Sequence, residues 1–333
     1  MEPAPDLEDF LVQNGLAAAD EPQSWTVLSG GVSSDIWRVD LPGRSLCVKR
    51  ALPKLRVKDD WQAPPDRNLY EWRWFETVRR WISDAAPEPL AFDPERRLLA
   101  MAFLPPEDHP LWKAEMLAGR VDVRFAAEVG ERLGRIHASS AAEPDLAADF
   151  ASDEGFFALR IDAYLLAAAR RRPEVAAEIE ALAARTANLK RGLVHGDATP
   201  KNILMGPRGP VFLDAETAWW GDPAFDAASV LNHLLLKRLV VKGRARELNQ
   251  SFTAMAEAWL ARIDFEPRAA IEARAASLLP ALLLARVDGK SPVEYITTDA
   301  ERDLVRRAAI PLLQSPPETL EAVRAAWDRT LDE

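Results

Sequence analysis

The sequence predicts an α+β protein of two lobes, a small β-rich N-terminal lobe and a larger, mainly helical C-terminal lobe. Near the N-terminus, short runs of β-branched and aromatic residues alternate with turns, as is typical of antiparallel strands. After Pro106 the apolar residues instead recur at the spacing of helices that pack against a core. We therefore predict an N-terminal lobe over 1–104 and a C-terminal lobe over 105–333.

The N-terminal lobe is predicted to contain three antiparallel strands, a helix and a further strand. The turn sequence SGGVSS separates the first two strands, and LPGR separates the second from the third. In the helix, Leu69, Trp72, Phe75 and Val78 recur at intervals of three, and Asp66 is the candidate cap. The predicted bounds are 25–28, 35–40 and 45–50 for the strands, 66–82 for the helix and 97–103 for the last strand.

The C-terminal lobe is predicted to be helical except for one β-rich island. Phe125, Val129 and Leu133 mark its first amphipathic helix, at 122–138. The island consists of the short apolar runs LVH, NILM and VFLDAE, and GPRGP at 206–210 predicts a hairpin between the last two. Further helices are predicted near 156–170, 174–189, 224–241, 247–263, 268–286, 301–313 and 317–331.

Composition excludes several classes of protein. The net charge of −10 argues against nucleic acid as a partner, because phosphate backbones require a positive surface. No apolar run approaches the roughly 18–20 residues of a membrane span, and the acidic N-terminus has no signal-peptide core. The single cysteine, Cys47, excludes an internal disulfide. These features predict a cytoplasmic protein with neither a membrane nor a nucleic acid as its partner.

The β-rich island places Asp197 and Asn202 on one loop, and Asp214 and Glu216 after the next strand. Because side chains alternate along an extended chain, Asp214 and Glu216 are expected to share a face, and the hairpin would bring them beside Asn202. Carboxylate and amide oxygens suit Mg²⁺ rather than zinc. Asp197 stands apart and could accept a proton from a hydroxyl. Together these groups indicate phosphoryl transfer, although each residue alone would also suit a surface turn.

The motif HGDATPKN followed by FLDAE resembles the aminoglycoside phosphotransferase superfamily, whose fold is similar to that of protein kinases. The resemblance implies that Asp197 is the catalytic base and that Asn202 and Asp214 hold Mg²⁺, with Glu216 assisting through metal or water. The segment GDPAFDAA also resembles this family, in which the residue at Asp226 supports the catalytic loop. Asp226 would equally suit a carboxylate at a helix N-terminus.

The same resemblance implies that ATP binds to the N-terminal lobe. Kinases require a loop over the phosphates and a lysine on the third strand, and SGGVSS precedes Lys49 in this order. Glu71, near the start of the predicted helix, is the expected ion-pair partner of Lys49, and Glu76 is the other candidate. The residues expected along the phosphates are Ser29, Gly30, Gly31, Ser33 and Ser34.

Two further segments are candidates for the adenine site. Cys47 lies two residues before Lys49, so their side chains should share a face of the strand, which in kinases contacts the adenine. Burial in the core is the commoner fate of a free cysteine and is compatible with this role. AMAFLP resembles the segment that joins the lobes of kinases, so we expect adenine to contact the backbone near Met101, Ala102 and Phe103.

The acceptor side is less defined. The segment 48–72 resembles methylthioribose kinases. Trp219 and Trp220 could wall an acceptor pocket or pack in the core. Arg286 matches a substrate-side arginine on a late helix of those kinases, or belongs to an ordinary helix end. The basic run 236–246 is either a solvated helix end or a region that attracts an anionic substrate.

The sequence thus predicts an ATP- and Mg²⁺-dependent kinase that phosphorylates a hydroxyl of a small molecule, with a sugar such as methylthioribose as one acceptor. Aminoglycosides, choline and homoserine-type compounds remain alternative acceptors. Two other classes stay open: a nucleotide-binding kinase-like protein without turnover, and a metal-dependent hydrolase that needs no nucleotide. The sequence leaves open the choice between ATP and GTP and the oligomeric state, a homodimer included.

Overall fold

A computed structural model describes residues 5–28, 34–52, 64 and 66–332. The four N-terminal strands predicted from the sequence form one antiparallel sheet with a fifth, in the order β1-β2-β3-β5-β4. The fifth strand, β4, was not predicted. It begins with a proline, lies at the edge of the sheet and pairs irregularly, which leaves little alternation to detect. The strands are β1 Ser24–Val27, β2 Ser34–Leu41, β3 Arg44–Ala51, β4 Pro89–Asp93 and β5 Leu98–Ala102.

Two helices cover this sheet. Helix α1, Pro5–Gln13, was not predicted, and it buries Leu7, Phe10 and Leu11 against one face. Helix α2, Arg67–Trp81, confirms the predicted helix to within a residue at each end. Its buried stripe includes Glu71, Trp74, Phe75 and Val78, whereas Leu69 and Trp72 are only half-buried. The side chain of Asp66 makes no capping hydrogen bond, so the predicted cap is wrong.

The remainder of the chain is mainly helical, which confirms the predicted α+β class. The lobe boundary at 104/105 stays a prediction. Most predicted helices are confirmed to within a few residues. In chain order, the helices of this part are α3 Trp112–Leu117, α4 Val123–Ala141, α5 Leu146–Asp149, α6 Asp153–Phe156, α7 Ala167–Arg171, α8 Ala176–Asn188, α9 Ala224–Val240, α10 Ala245–Ala261, α11 Arg268–Asp288, α12 Asp299–Gln314 and α13 Leu320–Asp332.

One predicted helix, at 156–170, is not a regular α-helix. A π-helix, Phe157–Leu166, occupies most of it and lies between α6 and α7. The wider π turn shifts side chains around the helix axis, and such turns are frequent at functional sites. Here the π-helix carries Arg160 and Tyr164, which both line the candidate site described below.

The β-rich island contains two small antiparallel pairs. The predicted hairpin is confirmed as β7, Ile203–Gly206, with β8, Gly209–Phe212. The other strand, β6 at Gly192–Val194, pairs with β9 at Trp219–Gly221, which was not predicted as a strand. Beyond β8 the chain is no longer extended, because Asp214 has a φ of 62°. The expected alternation of Asp214 and Glu216 on one strand face is therefore wrong.

The core of the helical part surrounds α9, which is buried along almost its whole length and packs against α10 and α11. Such complete burial brings polar residues of α9 into the interior, among them Asp226, His233 and Lys237. Across the described residues, which omit 29–33, 53–63 and 65 as well as the chain ends, no helix is both long and apolar enough to cross a membrane.

Candidate active site

The polar loop of the island follows directly from β6. Gly196 has a φ of 77°, and a Cβ at this position would lie 2.4 Å from the carbonyl oxygen of Thr217. A short 3₁₀ turn, Pro200–Asn202, then returns the chain toward Asp197. The Nδ2 of Asn202 donates to the backbone oxygen of Asp197 at 3.0 Å and to its Oδ2 at 2.8 Å. The two residues predicted to act together are therefore in direct contact.

Asp226, on the first turn of α9, fixes the backbone of this loop. Its Oδ2 accepts from His195 N at 2.7 Å, and its Oδ1 accepts from Gly196 N at 2.9 Å. His137 Nε2 lies 3.3 Å from the same Oδ2, and Trp259 Nε1 donates to His137 Nδ1 at 3.0 Å. Because Nδ1 accepts, Nε2 carries the proton and donates to Asp226. The predicted support of the loop by Asp226 thus has a geometric basis.

His195 connects the loop to the strand that leads to Asp214. Its Nδ1 accepts from Asp197 N at 3.1 Å, and its Nε2 lies 3.0 Å from the oxygen of Leu213. These contacts assign the proton to Nε2. Burial lowers the pKa of His195, against the opposing effect of the charge of Asp226. His195 is therefore neutral and holds the loop in place through these two contacts.

The carboxylate of Asp197 is buried between two cations. Arg160 Nη2 lies 3.2 Å from its Oδ2, and Lys201 Nζ lies 3.0 Å from the same atom. Burial alone would raise the pKa of Asp197, but Arg160 and Lys201 outweigh it and lower the pKa below its usual value. Asp197 is consequently ionised at neutral pH.

Lys49, on β3, reaches this site from the sheet. Its Nζ lies 2.7 Å from Glu71 Oε2 and also contacts Asp214 Oδ1. Lys49 is 2% exposed and Glu71 1%, so the pair is almost dry. Burial would lower the pKa of Lys49, but Asp214 and Glu71 raise it, so Lys49 stays charged. Glu71 is thus the partner expected from the sequence, whereas Glu76 is exposed.

The acidic members of this cluster differ in protonation. Burial raises the pKa of Glu71 to about 7, against the pull of Lys49. Asp214 is the reverse case, since burial would raise its pKa but Lys49 and Lys201 hold it well below the usual range. Its side chain is 30% exposed. Asp214 is therefore an accessible, ionised carboxylate at neutral pH.

Asn202 and Asp214 fit a hard divalent cation. Leu213 N donates to Asn202 O at 2.8 Å, which holds Asp214 next to the loop. The amide nitrogen of Asn202 is engaged by Asp197, so its amide oxygen is the atom that would contact a cation. With the carboxylate of Asp214 this gives oxygen donors of the kind that Mg²⁺ prefers.

Glu216 makes a different contact from the one predicted. Its Oε2 accepts from Arg67 Nε at 3.0 Å, and Arg67 Nη2 also donates to Leu52 O at 2.6 Å. Glu216 thus attaches the loop after β8 to the start of α2. Beside this pair lies a cavity of about 210 Å³, whose lining includes Tyr70, Thr217, Arg67 and Glu216. The predicted role of Glu216 at the metal remains a prediction.

The residues predicted along the nucleotide are only partly described. Ser29, Gly30, Gly31 and Ser33 lie outside the described residues. Ser34 begins β2, and its buried Oγ makes no hydrogen bond with any residue that the structure describes.

Cys47 and the segment after β5 form the neighbouring part of the sheet. Cys47 pairs with Met101 across β3 and β5, and both side chains are buried. Burial raises the pKa of the Cys47 thiol to about 12, so it stays protonated. Ala102 N donates to Glu88 O at 2.8 Å, so this amide is not free to donate to a ligand. An adenine contact through the backbone nitrogen of Ala102 is therefore not available. Phe103 lies under Arg38, 4.6 Å from its guanidinium carbon.

Trp219 and Trp220 pack in the core. Trp219 stacks on Phe156 with ring centroids 4.0 Å apart, and its Nε1 donates to Asp153 Oδ1 at 3.0 Å. Trp219 is 1% exposed, which leaves no ring surface for a substrate. Trp220 is also buried, and its backbone nitrogen donates to Phe150 O. Both residues therefore pack in the core, as one of the two predictions had it, and neither lines an acceptor pocket.

Arg286 is buried near the end of α11 on the side of Asp197. Its guanidinium carbon lies 5.1 Å from the ring centroid of Tyr164, and that of Arg160 lies 5.2 Å from the same ring. Burial would raise the pKa of Tyr164, but Arg286 and Arg160 outweigh it and lower the pKa. Arg286 is thus linked to Asp197 through Tyr164 and Arg160.

Three charged residues of the site were not found from the sequence. Lys201 had a signal, because it lies four residues after Asp197 on a short turn. Arg160 is the one charged residue in the run FFALRI, which could have marked it as a buried functional cation. Arg67 had no comparable local signal, since its partner Glu216 lies far along the chain.

Comparison with known proteins agrees with this geometry. The profile of the phosphotransferase enzyme family (APH) matches residues 24–258, which is most of the chain and includes every catalytic-loop residue described above. The chain belongs to this family. It is accordingly a small-molecule phosphotransferase with an α+β, kinase-like fold of two lobes.

Individual relatives of this phosphotransferase are distant. A methylthioribose kinase of Pectobacterium carotovorum subsp. carotovorum (strain PC1) is 28% identical over 319 residues, covering 82% of this chain and 76% of the relative. A solved amicoumacin kinase structure is 12% identical with a TM-score of 0.58, covering 89% of this chain and 90% of that one. The solved structure of an ethanolamine kinase of Plasmodium vivax is 12% identical with a TM-score of 0.55. The match covers 96% of this chain and 89% of that one. These two structures support the fold alone.

Proposed function

We propose that this phosphotransferase transfers the γ-phosphoryl group of ATP to a hydroxyl of a small metabolite, with Asp197 as the catalytic base. The convergence of four residues from three separate segments of the chain carries this proposal. Asp197 and Asn202 share a hydrogen bond, Asn202 is tied to the residue before Asp214, and Asp214 contacts Lys49. A chain that had lost phosphoryl transfer would be expected to have lost one of these four residues.

Asp197 would orient the acceptor hydroxyl by accepting its hydrogen bond. Its lowered pKa makes it a weak base toward a free alcohol. As the acceptor oxygen bonds to phosphorus and the bond from phosphorus to the ADP oxygen breaks, the hydroxyl proton becomes acidic and passes to the carboxylate. Arg160 and Lys201 keep this carboxylate ionised and fixed between reactions.

The cofactors would be ATP and Mg²⁺. Asn202 and Asp214 would hold the metal ion, which when bound neutralises charge on the phosphate oxygens. Lys49 would contact the α- and β-phosphates while Glu71 keeps it in place. The amicoumacin kinase structure contains AMP-PNP and Ca²⁺, which supports a nucleotide and a divalent cation in this family.

The nucleotide would lie along the sheet. Its phosphates would pass under Ser29, Gly30, Gly31, Ser33 and Ser34, and its adenine would lie against Cys47, Met101 and Phe103. The buried Oγ of Ser34, which has no hydrogen-bond partner among the described residues, supports this placement, because burying a hydroxyl without a partner is costly. For the acceptor, the relationship to a methylthioribose kinase supports a sugar.

The test is acceptor-dependent ADP release with ATP and Mg²⁺. The panel would hold methylthioribose, other sugars and sugar derivatives, choline, ethanolamine, homoserine and aminoglycosides. Asp197→Asn keeps the shape of the side chain and removes its charge, so we expect a loss of about 10²- to 10⁴-fold in kcat. Asp145→Asn, at an exposed helix end without a side-chain capping bond, is the matched control and should behave as the wild type.

Three results would contradict the proposal. The first is full activity of Asp197→Asn beside an active wild type, because the base would then lie elsewhere. The second is ATP binding with no ADP release for any acceptor in the panel, which would favour a nucleotide-binding protein without turnover. The third is phosphate release from a phosphorylated compound without nucleotide, which would indicate a hydrolase.

A further inference from the structure

Lys237 is a fully buried basic residue that has no anionic partner among the residues that the structure describes. It lies on α9 within the basic run 236–246, and it is 0% exposed, so the interpretation as a solvated helix end is wrong for this residue. Its Nζ lies 4.9 Å from the ring centroid of Tyr295 and makes no hydrogen bond with any described residue. An ammonium buried in this way is costly unless it is paired or neutral.

The surroundings of Lys237 are themselves positive. Arg286 is buried on α11, and its Nε lacks an acceptor among the residues the structure describes. Lys113 lies nearby on α3, where its charge is paired with the exposed Glu294. Burial, Lys113 and Arg286 lower the pKa of Lys237 to about 7, with Glu294 opposing them. Two buried basic side chains therefore share one region. Within the described part of the chain, the carboxylate that acts on Lys237 is Glu294, which is already paired with Lys113.

His233 adds neutral donors and acceptors to the same region. It lies one turn before Lys237 on α9, and its Nδ1 is 2.9 Å from Tyr295 Oη. Burial lowers its pKa well below the usual value, and Arg286, Lys237, Lys201 and Lys113 add to that effect. The histidine is therefore neutral and contributes no compensating charge.

The positive region adjoins the catalytic base. Arg286 and Arg160 contact the same ring, that of Tyr164, and Arg160 contacts Asp197. Lys201, which also pairs with Asp197, is close enough to lower the pKa of His233. The loop between α11 and α12 contributes half-buried Tyr295, whose ring contacts Lys237.

We propose that Lys237 and Arg286 bind a carboxylate or phosphate group of the acceptor while its hydroxyl lies at Asp197. The acceptor class is then a sugar acid, a sugar phosphate or another hydroxy compound with one anionic group, rather than a neutral sugar such as methylthioribose. This inference rests on the proposed function, because it assumes that Asp197 faces the acceptor. An anion would supply the partner that both buried cations lack.

The first test measures anion binding without turnover. Thermal unfolding and calorimetry would follow inorganic phosphate and acetate binding to the nucleotide- and metal-free protein, with chloride at equal ionic strength as reference. Lys237→Met keeps the length of the side chain and removes the charge. Lys242→Met changes an exposed lysine shortly after α9 and is the control. We expect Lys237→Met to weaken phosphate or acetate binding at least 10-fold and Lys242→Met to leave it unchanged.

The second test compares charged and neutral acceptors of one skeleton. The pairs are ribose 5-phosphate with ribose, gluconate with glucose, and glycerate with glycerol, so that phosphate and carboxylate are distinguished. We expect the charged member to have the higher kcat/KM. We also expect Lys237→Met to lower this value about 10- to 100-fold, mainly through KM, and to leave the neutral member unaffected.

The outcomes separate the two proposals. The anionic acceptor would be overturned, with the kinase assignment intact, by either of two results. One is that neutral members react as well as charged ones, and the other is that Lys237→Met lowers kcat/KM equally for both. If no acceptor reacts, the kinase assignment fails for these compounds, and the binding test alone decides. Anion binding that is lost in Lys237→Met then supports the anionic site, and binding that is absent or unchanged overturns it.

Discussion

Asn202 Nδ2 lies 2.8 Å from Asp197 Oδ2, so a hydrogen bond joins the side chains of two polar residues that are five apart in the sequence. The bond holds the carboxylate beside the residue whose amide oxygen is left for a cation. In the proposed mechanism, orientation of the acceptor by Asp197 and binding of the metal ion by Asn202 would therefore be coupled through a single amide. This coupling, together with the charges around it, leads to four predictions.

Replacement of Asn202 should affect both metal dependence and catalysis. In Asn202→Ala the carboxylate of Asp197 loses one donor, and the proposed metal site loses one of its two ligands. We expect kcat to fall about 10²-fold and half-saturation to require more Mg²⁺. The measurement is ADP release across a Mg²⁺ titration. Asn188→Ala, at an exposed helix end, is the control, and an unchanged Mg²⁺ dependence in Asn202→Ala would argue against the proposed ligand.

Removal of Arg160 should change the acid limb of the pH profile. Burial favours protonation of Asp197, and Arg160 opposes it, so Arg160→Gln raises the pKa of Asp197. Since the proposed base is the ionised carboxylate, kcat/KM should be lost as pH falls through this pKa. The acid limb of the profile should therefore move to higher pH in Arg160→Gln. Arg170→Gln, on the exposed side of α7, should leave the profile in place. Acid limbs that coincide in the wild type and in Arg160→Gln would exclude the electrostatic role of Arg160.

The buried pair of Lys49 and Glu71 should show strong energetic coupling. Lys49→Met leaves Glu71 and Asp214 near each other without their cation, so it should destabilise the fold by about 3–5 kcal/mol. Glu71→Gln removes one of these charges, and the double variant should recover about 1–3 kcal/mol relative to additivity. Urea unfolding of the four proteins measures the cycle. Purely additive free energies would mean that the two side chains do not interact.

Gly196 should be intolerant of a side chain because of both its conformation and its close contact. Gly196→Ala places a Cβ 2.4 Å from Thr217 O at a φ of 77°. Gly43→Ala is a matched control, since it has a φ of 78° but nothing within 4 Å of its Cβ. The control should cost about 1–2 kcal/mol in the free energy of unfolding, and Gly196→Ala about 1–3 kcal/mol more. Equal losses in denaturant unfolding would show that the contact relaxes freely.

The sequence by itself determined the class of fold and the order of the main reactive residues. Apolar spacing located α2, α4 and the late helices, because helical periodicity is a local property. The motif HGDATPKN placed Asp197 and Asn202 together, because five residues on one turn cannot separate far. The pairing of Lys49 with Glu71 followed from the resemblance to kinases and is present in the structure.

Only the tertiary structure decided which charges surround the site. The contacts of Arg160 with Asp197 and of Arg67 with Glu216 join distant segments, and nothing in their local spacing encodes them. The left-handed φ of Asp214 ends the extended segment, so the alternation expected from the sequence does not continue to Glu216. Lys237 lies in a basic run that also suits a solvated helix end. The packing of α9 against its neighbouring helices nevertheless buries it. Burial is a property of packing. The burial of Lys237, on which the proposed anionic acceptor rests, could therefore be recognised only in the folded chain.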